Sequence, residues 1–176
     1  MKNLLKSALA ILLPCVFVMP IFAQPSMTPP EEIRKFGWMV GEWSGKMKWL
    51  MEGMEGEMDM TLKNEFEGQF LKTTSAMDMM GEKFTEVSFM GWDASKKRYS
   101  SWTFTNFAPL PRIEHGTMDG NKLVFISEPW LVMSEEPTVS RATLTKISDK
   151  EVSFTLEFKQ EEKWEKVAEG TFKKKT

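Results

Sequence analysis

From Gly41 onward, apolar and polar residues alternate with a period of two along most of the chain, as in strands that bury one face. Trp43, Gly45, Met47, Trp49 and Met51 share one side of the first run, and Ser44, Lys46 and Lys48 share the other. After a Glu52-Gly53 turn, Met54, Met58, Met60, Leu62 and Phe66 oppose Glu55, Glu57, Asp59, Lys63 and Glu65. Leu71, Thr73, Ser75, Met77 and Met79 form a third run, and Gly81-Glu82 leads into a fourth over 84–92. Asp93-Ala94-Ser95-Lys96 then turns the chain into a fifth over 99–107, where Trp102 and Phe104 alternate with Ser101, Thr103 and Thr105. Asp119-Gly120 is the plainest hairpin signal and joins 113–118 to 122–127. Beyond Pro129 and Pro137, runs over 139–147, 152–158 and 164–172 are divided by Ser148-Asp149-Lys150 and Gln160-Glu161-Glu162.

The pattern predicts an all-β fold of about 8–10 short strands, each able to pair with the next, and an up-and-down antiparallel barrel closes such a meander without free edges. A sandwich is the alternative, and no repeat of about 40 residues supports a propeller. Ahead of the strands, Thr28-Pro29-Pro30-Glu31 has the form of a capping box with proline at the first helical position. It predicts a helix of about two turns, with Ile33, Phe36 and Trp38/Met39 as an apolar side lying across the end of the larger body.

The first residues read differently. Lys2 and Lys6 precede an apolar stretch over 8–22, and Ile21-Phe22-Ala23 before Gln24 reads as a signal-peptidase site. Pro14 and Pro20 interrupt a stretch already short for a bilayer span, and Cys15 follows Leu12-Leu13-Pro14 without the small residues of a lipoprotein signal. The expected organisation is therefore a cleaved signal peptide over 1–23, a tether over 24–30 and one barrel domain over 31–176, exported to the periplasm or the medium. Cys15 is the single cysteine, so the mature chain has no disulfide, no thiol chemistry and no cysteine zinc site. Lysine and arginine total 23 against 25 acidic residues, a net charge of −2, with no polybasic segment, which argues against a nucleic-acid partner. No second apolar stretch follows the leader, so stable membrane insertion is not expected either.

Phe36-Gly37-Trp38-Met39-Val40-Gly41-Glu42-Trp43 resembles the opening of calycin-type barrels, the group of lipocalins and fatty-acid-binding proteins, whose first strand begins with Gly-x-Trp. Further likeness lies in Glu67-Gly68-Gln69-Phe70-Leu71, in Met90-Gly91-Trp92-Asp93 followed by Lys97-Arg98-Tyr99 and Trp102, and in Gly170-Thr171-Phe172-Lys173. Over residues 33–174 these motifs resemble the bacterial domain of unknown function fifteen-seventy-nine family. The resemblance implies a lipocalin-like barrel of eight to ten strands with no assigned activity. It also implies that Trp43 packs at the closed end beneath a basic side chain of the last strand, Lys173 or else Lys174. A haem-binding branch of such barrels takes its iron ligand from a histidine near the C-terminus. The only histidine here, His115, is mid-chain, so neither haem nor any other cofactor or metal is expected.

Candidate binding residues come from positions expected to face the lumen. Trp49 and Trp102 lie mid-strand on apolar faces and would contact an apolar or ring-containing ligand. Arg141, on a face with Val139, Thr143, Thr145 and Ile147, would pair with an acidic ligand head or an internal carboxylate. His115, on the face of Ile113 and Thr117, would be a polar anchor or an ordinary hydrogen-bonded strand histidine. The methionine run over 51–60 has the look of a Cu(I) site, but its alternation with Glu and Asp is that of core side chains along a strand. No triad, zinc signature, phosphate loop or dinucleotide fingerprint is present, and Glu135-Glu136 and Glu161-Glu162 are loop carboxylates. The expected function is carriage of a small hydrophobic or amphipathic molecule in the lumen. The alternatives are a filled-barrel interaction protein and, third, a lumenal enzyme built on His115.

Overall fold

Ten strands follow one another around a closed barrel, each hydrogen-bonded antiparallel to the next and the last to the first. They are β1 (Gly41–Trp49), β2 (Gly56–Glu67), β3 (Phe70–Met79), β4 (Glu82–Asp93), β5 (Arg98–Thr105), β6 (Arg112–Asp119), β7 (Lys122–Ser127), β8 (Ser140–Ser148), β9 (Glu151–Gln160) and β10 (Lys163–Lys174). The structure, a computed structural model, describes residues 27–53, 55–79, 81–131 and 136–176. The expected signal peptide, the first three residues of the tether (24–26), Cys15, Met54 and Glu135 lie outside the described residues. No helix among the described residues is long and apolar enough to cross a membrane.

Turn chemistry sets the strand boundaries. Asp93 begins the β4–β5 turn by accepting hydrogen bonds from the backbone N–H groups of Ser95 (3.0 Å) and Lys96 (3.1 Å). Between Asp119 and Lys122, which pair, only Gly120 has positive φ (59°), so a two-residue loop reverses the chain at the place where the Asp-Gly signal predicts it.

The N-terminal helix is shorter than its sequence suggests. One turn, α1 (Glu31–Arg34), is followed by a 3-10 turn over Gly37–Met39. Pro30, not Thr28, occupies the N-cap; proline has no side-chain acceptor, and its carbonyl receives the N–H groups of Ile33 (3.0 Å) and Arg34 (2.9 Å). The apolar side works as expected. Ile33 is fully buried, Phe36 meets Tyr99 edge-on at 5.3 Å, and Met39 and Trp38 form a floor beneath the lumen.

That floor is bonded to the barrel. Trp43 Nε1 donates to the Met39 carbonyl (2.6 Å), Asn64 Nδ2 donates to the same oxygen (3.2 Å), and Thr73 Oγ1 donates to Asn64 Oδ1 (2.6 Å). Lys174, directly opposite Trp43 in the β1–β10 register, donates to the Trp38 carbonyl (2.9 Å) with its ammonium 5.7 Å from the Trp43 ring centre. The basic residue at the closed end is therefore Lys174. Lys173 is one position out of phase, points outward, and lies 4.0 Å from Glu151.

The wall is divided. On β1, β2 and β7–β10 the inner row is largely apolar, with Met47, Met60, Phe125, Leu156 and Phe172 among its members. On β3–β6 it is largely polar below the rim: Thr73, Ser75, Glu86, Ser88, Ser101, Thr103, Arg112 and Glu114 face the lumen. The outer face of the same sector carries Phe70, Phe89, Trp102 and Phe104 instead, and Phe70 packs edge-on against both Phe89 (6.2 Å) and Trp102 (6.4 Å).

Candidate functional site

The lumen encloses a cavity of about 220 Å³. A void of about 150 Å³ takes a benzene ring, so this one has room for a substituted ring or a short chain. A second hollow of about 350 Å³ lies at the plugged end among Lys35, Phe36, Tyr99, Met118, Asn121 and Lys146. It is bordered by none of the buried, unbonded polar atoms that mark the lumen.

β6 supplies the centre of the polar sector. Register places Arg112 opposite Thr103 and Glu114 opposite Ser101, so all four share the inner face. Arg112 stacks its guanidinium 4.8 Å from the Trp130 ring centre. Its Nε is 3.2 Å from Glu114 Oε1, close enough to attract but off the N–H direction, so both atoms are without a hydrogen bond. Glu114 is 4% exposed. Glu86, across the polar wall on β4, accepts a long bond from Ser75 Oγ (3.5 Å). Burial pushes the Glu114 carboxyl above its ordinary value; Arg112 pulls it back in part and Glu86 adds to the rise. On the opposite side of the barrel Trp49 Nε1 is likewise buried and unbonded. The site therefore offers, on β6, a carboxylate oxygen in ionic contact with Arg112 but without a hydrogen bond, and on β1 an unbonded donor, five strands apart in either direction.

This arrangement has a consequence for stability against pH. Below pH 4.5 Glu114 is protonated in the folded and unfolded chain alike, and its contribution to stability is complete. As pH rises through its raised folded value, the unfolded chain has already released the proton, and that contribution is lost. Urea unfolding across this range is expected to show wild type losing stability relative to Glu114→Gln as pH rises. A gap that moved in favour of wild type would mean that Arg112 more than offsets the burial.

Of the residues singled out from the sequence, Trp49 lines the cavity and Trp43 closes its floor. The other three expected in the lumen are on the outside. Trp102 is 37% exposed in the Phe70 cluster, because Ser101 and Thr103 take the inner positions of β5. Arg141 faces out because Ser140, Ala142 and Leu144 face in, and it makes a two-pronged ion pair with Glu157 (2.6 and 2.7 Å) under the Trp164 ring. His115 is outside because Glu114 and Gly116 are inside. Its Nδ1 is 3.2 Å from Ser100 Oγ, while its Nε2 lies 3.2 Å from both Arg98 NH2 and Glu128 Oε1. Nε2 can accept from the guanidinium or donate to the carboxylate, not both. Met47 and Met60 are core, as their alternation predicts.

Arg112, Glu114 and Glu86 were not singled out, although a signal for two of them exists. Leu123 and Phe125 mark the inner face of β7, and the two-residue turn at Gly120 carries that phase to Gly116 and Glu114, and so to Arg112.

A closed ten-stranded up-and-down barrel, plugged at one end by a short helical segment beneath a first-strand tryptophan, is a calycin-like barrel. The chain belongs to the family described as protein of unknown function (DUF1579), whose model matches residues 28–174. It is similar in fold to the crystal structure of Rv2717c from M. tuberculosis, with 12% sequence identity and a TM-score of 0.65, over 84% of this chain and 99% of that one. No curated protein matches the chain.

Proposed function

We propose that this is an exported carrier that holds one small amphipathic molecule in the barrel lumen. The observation that supports it is the cavity of about 220 Å³ with an apolar arc on one side and, on the other, a buried carboxylate oxygen without a hydrogen bond. A core meant only to be filled gains little from such an oxygen, whose contact with Arg112 Nε (3.2 Å) is off-axis, since a buried polar atom left without a hydrogen bond costs about 1–3 kcal/mol. The basic, apolar and small-residue segments over 1–23 support the export part.

Native mass spectrometry of the protein purified from its own host tests both parts. A non-covalent adduct on a chain beginning at Gln24 is the expected result; a bare chain beginning at Met1 counts against both.

A second reading, an interaction protein acting without a small ligand, has one observation in its favour. Phe70, Trp102, Phe104 and Ile126 are each more than a third exposed on the outer face of β3, β5 and β7. A bare protein whose lumen also refuses small apolar probes would favour it.

A further inference from the structure

We infer that the lumenal ligand is a small apolar amine, held with its ammonium group against Glu114 and Glu86. This deepens the carrier reading and rests on it.

Among the described residues, the charged ones lining the cavity are Arg112, Glu86 and Glu114, so with all three ionised they carry one uncompensated negative charge. Arg112 is already engaged, stacked on Trp130 and in ionic contact with Glu114. An acidic ligand reaching for that guanidinium would be brought beside two carboxylates in a place that water screens poorly. A cation meets the opposite situation. Glu114 Oε1 has an off-axis ionic contact with Arg112 Nε (3.2 Å) but no hydrogen bond, so it still has room for an N–H, and the resulting charge-assisted bond is stronger than one from a neutral hydroxyl. Aromatic residues line the cavity as well, Trp49, Phe84 and Phe107 among them, and aromatic rings attract a cation placed over a face. The size of the cavity limits the apolar part to a single ring or a short chain. Trp49 Nε1, unbonded on the far side, supplies a donor for an acceptor elsewhere on the molecule.

Three probes of one shape separate the alternatives: benzylamine, benzyl alcohol and benzoate, titrated calorimetrically into the mature wild-type protein near neutral pH. Benzylamine is expected to bind at least tenfold more tightly than benzyl alcohol, and benzoate most weakly. Glu114→Gln is expected to remove most of the amine's advantage while leaving the alcohol's affinity within about twofold. If the alcohol or benzoate binds as tightly as the amine, the amine assignment is overturned and the carrier reading stands. If none of the three binds, both are overturned. Should Glu114→Gln fold poorly, the order of the three probes on wild type decides the matter, and Glu86→Gln repeats the comparison from the other carboxylate.

Discussion

Replacing Trp43 with alanine is expected to lower the unfolding free energy by about 4 kcal/mol, within the range found when a buried tryptophan is truncated. The side chain is 1% exposed, meets Trp38 edge-on at 6.0 Å, and sits beneath the Lys174 ammonium. Its loss would open a void where the helical segment is joined to the barrel. Trp43→Phe separates packing from bonding. It keeps most of the apolar contact and removes the bond to the Met39 carbonyl, which Asn64 Nδ2 still satisfies (3.2 Å). The expected cost is therefore only about 1–2 kcal/mol. Urea unfolding of the two variants checks the difference; equal costs would show that the hydrogen bond, not the packing, secures the plug.

Gly45→Ala is expected to cost about 3 kcal/mol, the upper end for an overpacked site. Its neighbours are backbone as well as ring. A Cβ there would stand 2.1 Å from the Thr171 carbonyl oxygen and 2.9 Å from Phe172 Cα on β10. Gly170 faces the same seam, with its own added Cβ 2.7 Å from the Lys46 carbonyl oxygen. The first and last strands thus approach too closely for any side chain at these positions, and their pairing is what closes the barrel. To admit the methyl group, β1 and β10 must part. An unfolding midpoint unchanged in Gly45→Ala would show that the seam can relax freely.

The strands were legible in the sequence, and the direction in which some of them face was not. Turn residues bounded each run, and a period of two marked each strand. A period, however, says only that two faces differ; which face is inside needs a second clue. On β1 and β2 that clue is plain, because Lys46, Lys48, Glu57 and Asp59 cannot all be lumenal, and Trp43, Met47 and Met60 point inward as expected. On β5 the rule that apolar means inside fails: Ser101 and Thr103 are buried while Phe104 is 50% exposed. The inner Arg112 and Glu114 of β6 also reverse the expected phase, which put His115 in the lumen. On β8 the contrast between Ala142 and Arg141 was too weak to decide. The candidate site lies in the sector where the rule inverts, which is why Trp49 was found and the buried charges were not. Binding a polar group inside an apolar barrel requires such an inversion, since side chains suited to the ligand replace those suited to the core.

The central claim is that the lumen, and not the outer face, holds the ligand. It is tested most directly by native mass spectrometry of host-purified protein, wild type beside a Leu156→Trp variant. Leu156 is an inner residue of β9, across the barrel from Glu86, and an indole there occupies the cavity. The expected result is an adduct on wild type that is absent from the variant. An adduct retained at the same mass by a folded Leu156→Trp would place the ligand elsewhere on the protein and contradict the account.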